Sequence, residues 1–259
     1  METARLEPVQ REVEKGMPTL RKAKQRLGRF LIPRLPMTRH VFNHFRWELD
    51  AWWVRLNSRL NPFYVARRIK IKSGDNLSVN VACGGGAREG WINLDLMIHK
   101  NLSLRHDCRK GLPLRKESAR RIRCEHFLEH LDREEEAPFF LKSCFECLKT
   151  GGILRVVVPD AGRFLLAYPS GKKEDWAALG WNLDELPQGF HTPMDIINHV
   201  FRQREEHAYA YDFETLSRAL RQAGFREIRK CEFGVSPDPQ LCGDLPEHRL
   251  YSLYVEAVK

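Results

Sequence analysis

Three residues that could move a proton or hold a metal ion stand close together in this chain. They are His126, Glu129 and His130, in the order His-Phe-Leu-Glu-His. An imidazole titrates near working pH, so either histidine could act as a base or orient a substrate. The same H-x-x-E-H order occurs as an inverted zinc motif when it lies on a helix. A second constellation lies upstream. Gly84, Gly85 and Gly86 follow the apolar run 77–81, and Asp95 ends a second apolar run that begins at Trp91. Three glycines after a strand let the backbone turn sharply and let a ligand come close to it. A carboxylate at the end of the next strand can accept bonds from both hydroxyls of a ribose, beyond the carboxyl ends of the strands where ligands of open α/β sheets bind. A looser group, His191, His199, Arg202 and His207, could contact an acceptor or a phosphate.

The glycine spacing is wrong for a dinucleotide site, and Asp95 comes too soon after the turn. A P-loop would need Gly-Lys-Ser/Thr, which does not follow these glycines. A zinc peptidase would leave the glycine turn and Asp95 without a role, so no metal is expected. The order Asn80-Val-Ala-Cys-Gly84, then Gly90-Trp-Ile-Asn-Leu-Asp95, resembles the first motif of class I S-adenosylmethionine (SAM)-dependent methyltransferases. In particular it is similar to the type 11 branch, with its pattern N-L-G-C-G, then G-W-I-N-(V/L)-D. The stretch from Glu125 to Leu131 resembles the (S/E)-H-x-L-E-H that follows a strand in that branch. The stretch from Leu148 to Asp160 resembles its L-K-x-G-G-I-L-R-V-V-V-P-D signature. The likeness is most continuous over 77–160 and returns over 208–258.

The resemblance implies an α/β fold: a Rossmann-like, seven-stranded, mainly parallel, doubly wound sheet whose last two strands form an antiparallel edge. It implies SAM as cofactor, with Asn80, Ala82, Cys83, Gly84 and Gly85 at the turn. Asp95 and Leu96 would lie at the ribose, Asp107 at the adenine amino group, and Glu125 and His126 near the sulfonium. His126 would be the base, with His130, His191 and His199 as further catalytic candidates. Ala82 replaces a glycine of the pattern and is tolerable only at negative φ. Asn80 stands where many relatives carry an acid, and can hydrogen-bond the loop or the amino-acid end of SAM. Relatives of the branch accompany polysaccharide and natural-product biosynthesis, so the acceptor is expected to be a hydroxyl of a sugar, glycan or small molecule. A nucleic-acid methyltransferase and a non-catalytic binding subunit are the alternatives.

Around these motifs the pattern places strands at 77–81, 91–95, 102–106, up to 125, 153–158, 226–233 and 250–258, and helices at 132–149 and 212–224. Gly151 and Gly152 are expected to cap the first of these helices. Arginines at 120, 121 and 123 are costly in a central strand unless they reach its rim or a partner. The segment 161–211 has weak periodicity and is expected to be an irregular cover over the carboxyl edge of the sheet.

Residues 1–75 hold 17 Lys/Arg against 7 Asp/Glu, a net of +10 in a chain whose total is +9. This stretch is expected to be a basic helical arm, preceding a methyltransferase domain over 76–259. Spacings such as Phe45, Trp52, Leu56 and Leu60 fit one helical face. An anionic membrane surface or a phosphate is the partner its charge suggests, ahead of nucleic acid. No apolar run is long enough to span a membrane and the N-terminus lacks an apolar leader. Seven cysteines without framework spacing suggest a reducing compartment. The expected location is cytoplasmic, peripheral at a membrane if the arm binds one. Cys144-Phe-Glu-Cys147 reads as helix packing.

Overall fold

The computed structural model describes residues 38–259; the segment 1–30, with its basic run at 21–26, lies outside the described residues. Seven strands form one sheet: β1 (Leu77–Val81), β2 (Ile92–Asp95), β3 (Leu104–Arg105), β4 (Ala119–Glu125), β5 (Leu148–Pro159), β6 (Glu227–Cys231) and β7 (Ser252–Val258). Their order is β3-β2-β1-β4-β5-β7-β6. The first five pair in parallel, and β7 runs antiparallel between β5 and β6. This is the Rossmann-like, mainly parallel sheet that the resemblance implies.

Among the described residues the α-helices are α1 (Arg39–Leu60), α2 (Pro62–Ser73), α3 (Glu136–Cys147), α4 (Ala161–Ser170), α5 (Lys173–Ala177), α6 (Pro193–Arg202) and α7 (Phe213–Ala223). Asn61 caps α2 ahead of Pro62, and Asp212 caps α7, which Gly224 ends at φ +115°. The sheet belongs to a compact unit that runs Ala51–Lys259 and includes α2. No described helix is long and apolar enough to cross a membrane.

Side chains alternate across the strands, and the two faces of the sheet differ. Val79, Val81, Ile122, Cys124, Leu154, Val156 and Val255 join Phe140 and Leu141 of α3 and Leu216 and Leu220 of α7 in one apolar core. The alternate residues include many polar ones: Ser78, Asn80, Arg121, Arg123, Arg155 and Glu256. No α-helix connects β1 to β2 or β2 to β3. The connection 232–251 between β6 and β7 supplies partners for the polar face. Arg121 Nε donates to Asp238 Oδ2 (2.7 Å). Arg123 bonds the Gly243 carbonyl and pairs with Glu125. Arg155 is fully buried and donates to Asp244 Oδ1 (2.9 Å), Glu256 Oε1 (3.0 Å) and the carbonyls of Val235 and Glu232. Arg121 and Arg123 of β4 thus have partners and Arg120 is exposed; the strand begins at Ala119 with a register shift between Ala119 and Arg121.

Four expectations are corrected. Gly151 and Gly152 do not cap α3, which ends at Cys147; they lie inside β5. A Cβ at Gly152 would stand 3.1 Å from the Arg120 carbonyl and 2.8 Å from that of Lys149, so only glycine fits there. The third strand is shorter than 102–106. The buried residues of α1 are Ala51, Val54 and Ser58, whereas Phe45, Trp52 and Leu60 are exposed. The segment 161–211 is irregular only in part: α4, α5 and α6 pack around Phe164, Trp176, Leu179 and Ile196 in a second small core, and 178–192 connects α5 to α6 without a helix. A capping box between Thr192 and Asp195 starts α6.

Candidate functional site

Val81 of β1 lies opposite Cys124 of β4. The chain leaving β1 into the glycine turn and the chain leaving β4 at Glu125–His126 therefore emerge side by side at one edge. The turn is tight. Gly86 N–H donates to the Cys83 carbonyl (2.8 Å), and Cys83 N–H to the Leu94 carbonyl (3.1 Å). Asn80 is buried, and its Nδ2 donates to the Gly86 carbonyl (2.9 Å) and to Asn93 Oδ1 (3.2 Å). Asn80 thus ties down the loop. Cys83 is a buried thiol whose pKa is pushed up to about 12, first by burial and then by the Asp95 charge. It is an inert neutral thiol.

Asp95 links the two strand ends. Its Oδ2 accepts from Gly84 N–H (2.8 Å) and its Oδ1 from Met97 N–H (2.7 Å). Each oxygen keeps a lone pair after these bonds, which suits two vicinal hydroxyls. A Cβ added to Gly84 or Gly85 would meet nothing within 4 Å. The turn thus has an open flank beside a charged acceptor, a fit for a nucleoside laid along the backbone. Leu96 follows, half-buried, with its carbonyl taken by Arg105 Nε (2.8 Å).

Ala82 sits at φ +49°, against the requirement for negative φ. A residue with a Cβ is strained there by about 1–2 kcal/mol. Ala82→Gly is expected to raise stability by up to about 1 kcal/mol after the entropy cost of glycine. Urea unfolding checks this, and a lower midpoint in the variant would refute the strain.

Asp107 and Glu125 are turned to protein partners. Asp107 Oδ1 accepts from Arg109 N–H (3.3 Å) and Nε (2.9 Å), and Oδ2 from Arg109 Nη2 (3.0 Å) and Arg55 Nη1 (2.7 Å). Burial opposes the charge, but these two guanidiniums hold the carboxyl below its usual range. All four acceptor positions are used, so the structure gives Asp107 the task of anchoring Arg109 and Arg55. Glu125 Oε1 accepts from Leu245 N–H (3.2 Å) and His248 Nδ1 (2.8 Å).

His126 has φ +50° and precedes a 3-10 turn, Leu128–His130. It therefore does not share a helix with Glu129 and His130, as an inverted zinc motif requires. Its Nδ1 is 3.2 Å from Glu129 Oε1, near enough to pair charges though off the hydrogen-bond line. Its Nε2 shares a 2.8 Å hydrogen bond with Ser252 Oγ. The ring stacks on His248 at 3.7 Å. Burial pulls the His126 imidazole below its ordinary pKa, and Glu129 partly offsets this. Ser252, His126 and Glu129 form a relay that can accept a proton at Nε2 and hold the charge against a carboxylate.

His130 lies beside this relay, its Nδ1 at 2.9 Å from the Glu206 carbonyl. His191 and His199 do not join it. The His191 backbone N–H donates to Asp195 Oδ2 at the start of α6, and His199 packs edge-on to Phe190 and Trp181. His207 is the cover residue that meets His130, with ring centroids 4.8 Å apart. Ser252 and His248 were not legible as site residues. Ser252 opens a strand and His248 lies in a connection without periodicity, and only the fold brings either to His126.

No family model matches the sequence, and no curated protein does. Among solved structures the chain is similar to a SAM-dependent methyltransferase from Archaeoglobus fulgidus, at 18% identity over 75% of this chain and 91% of that one (TM-score 0.44). It is similar to an S-adenosylmethionine-dependent methyltransferase from Mesorhizobium loti, at 15% identity over 76% and 97% (TM-score 0.42). A third is a Haloferax volcanii methyltransferase in complex with the Trm112 methyltransferase activator, at 13% identity over 82% and 97% (TM-score 0.42).

Proposed function

We propose that the chain is a class I SAM-dependent methyltransferase that methylates a hydroxyl of a sugar, glycan or small molecule. The observation that carries the reading is the open glycine turn with Asp95 bonded to Gly84 N–H. The sequence resemblance supports it independently. When bound, SAM supplies a methyl group made electrophilic by its sulfonium. The task left to the protein is to hold a nucleophile in line and to remove its proton. Asp95 would accept from the ribose hydroxyls through its remaining lone pairs. His126 would take the acceptor proton at Nε2 once the Ser252 hydroxyl turns aside, and Glu129 would stabilise the resulting imidazolium.

Asp95→Ala removes a charged acceptor from both hydroxyls. A loss of about 1.5–3 kcal/mol per charge-assisted bond is expected, or roughly ten- to 150-fold in SAM affinity for each hydroxyl. Calorimetry measures it, and unchanged affinity would remove the ribose assignment. The acceptor class is tested by incubating the protein with methyl-labelled SAM and fractionated cell extract. Label in a glycan or small-molecule fraction supports the proposal. Label in RNA or DNA would replace the acceptor with nucleic acid, and no label in any fraction would favour a non-catalytic binding subunit.

A second reading concerns the arm. Trp52, Trp53, Leu60 and Phe63 are exposed beside Arg59, Arg67 and Lys70, which are also exposed. Aromatics interleaved with cations suit an anionic membrane surface. The full chain is expected to bind anionic vesicles at low salt and release them at high salt, and deletion of 1–30 to weaken this binding while SAM affinity holds. If the full chain does not bind such vesicles at low salt, the arm has another role.

A further inference from the structure

We propose that Glu129, His130 and His207 bind a divalent transition-metal ion of the zinc type. One ligand atom from each lies within 4.8 Å of the others. Glu129 is 2% exposed, and neither carboxylate oxygen has a hydrogen-bond partner. A buried carboxylate in that state calls for a cation. The nearest cationic candidate, His126, approaches only Oε1 and from off the hydrogen-bond line.

The two histidines are held as metal ligands are held. His130 Nδ1 lies 2.9 Å from the Glu206 carbonyl, and His207 Nδ1 lies 2.7 Å from the Val200 carbonyl. A carbonyl can only accept, so each Nδ1 carries the hydrogen and each Nε2 keeps its lone pair. Metal-binding histidines are commonly oriented by such a backbone carbonyl at the far nitrogen. His207 Nε2 is buried and without a hydrogen-bond partner. The rings meet edge to face at 78°.

Two imidazoles and one carboxylate form the donor set of an open zinc site, with a coordination position left for water or another ligand. Imidazole donors disfavour magnesium and calcium, which prefer all-oxygen shells. His130 and His207 are both partly exposed, which gives the ion a path in. The expectation of no metal follows from the glycine turn and Asp95 having no role in a zinc peptidase, and weighs only the set His126, Glu129 and His130. His126 is not among the three ligands proposed, and His207, from the segment after α6, takes its place.

The donor set shares Glu129 with the His126 relay, but the test reads metal content and not methyl transfer or SAM affinity, so its failure and that of the methyltransferase reading are distinguishable. The full-length chain is stripped with a chelator, dialysed against Zn2+ and assayed for metal. One ion per chain is expected. His130→Gln and His207→Gln should each weaken retention by more than about tenfold, with circular dichroism confirming that both fold. Cys231→Ser with Cys242→Ser changes the two cysteines that are not buried, and this variant should bind as the wild type does. Cobalt(II) in place of zinc should show nitrogen and oxygen coordination without a sulfur-to-metal charge-transfer band. No zinc on the wild type, equal retention in folded histidine variants, or a thiolate band from cobalt would overturn the proposal.

Discussion

Replacing His126 by alanine is expected to lower methyl-transfer turnover about 10²–10⁴-fold while SAM affinity changes little. The imidazole stands at the end of β4 with Ser252 on Nε2 and Glu129 facing Nδ1, so it can both take a proton and have the charge stabilised. Asp95 and the Gly84 backbone are the contacts assigned to the cofactor, and the substitution leaves them in place. His126→Asn should be nearly as poor, because an amide can orient a hydroxyl but cannot take its proton at working pH. Burial lowers the His126 pKa, and the neutral form is the base. Turnover should therefore rise with pH through a midpoint below the ordinary imidazole value of about 6.5, and His126→Ala should lack that limb. Turnover measured against the labelled acceptor fraction checks both points. Equal turnover in wild type and His126→Ala, or a rise centred well above the ordinary value, would remove His126 as the base.

Asp244→Asn is expected to destabilise the fold by about 3–5 kcal/mol, the loss found when one partner of a buried ion pair is removed. That is a large part of the total stability of an ordinary domain. Asp244 bonds the fully buried Arg155, accepts from Gly234 N–H and lies 3.6 Å from Arg123 Nη2. An amide in its place leaves excess positive charge on the polar face of the sheet. The effect should reach the site, because Asp244 precedes Leu245 and the stretch that carries His248. Leu245 packs on Gly86 and His248 stacks on His126. Urea unfolding reads the stability. A loss under about 1 kcal/mol would mean that Glu256 and the carbonyls around Arg155 suffice without Asp244.

What the sequence disclosed was local. The strand–glycine–strand course from Leu77 to Asp95 depends on neighbours in the chain, so the residues spell it out. The polar face did not disclose itself, because Arg121 and Arg155 find Asp238 and Asp244 far along the chain. Asp107 matched a pattern, yet Arg55 arrives from α1, 52 residues upstream, to occupy one of its oxygens. In α1 the large aromatics drew the periodicity, while the buried stripe is made of the small residues Ala51, Val54 and Ser58. The helix α6 did carry a signal, since Thr192-Pro-Met-Asp195 is a helix start. It was masked by the irregular run of histidines and aromatics around it. The pairing of His126 with Ser252, and of His130 with His207, is tertiary and has no trace in spacing.

Titrating SAM into the full-length chain by calorimetry tests the assignment of the glycine turn most directly. One SAM per chain, with affinity that falls in Asp95→Ala, is the expected result. No binding by the wild type, or equal affinity in wild type and Asp95→Ala, would contradict a cofactor seated between Gly84 and Asp95.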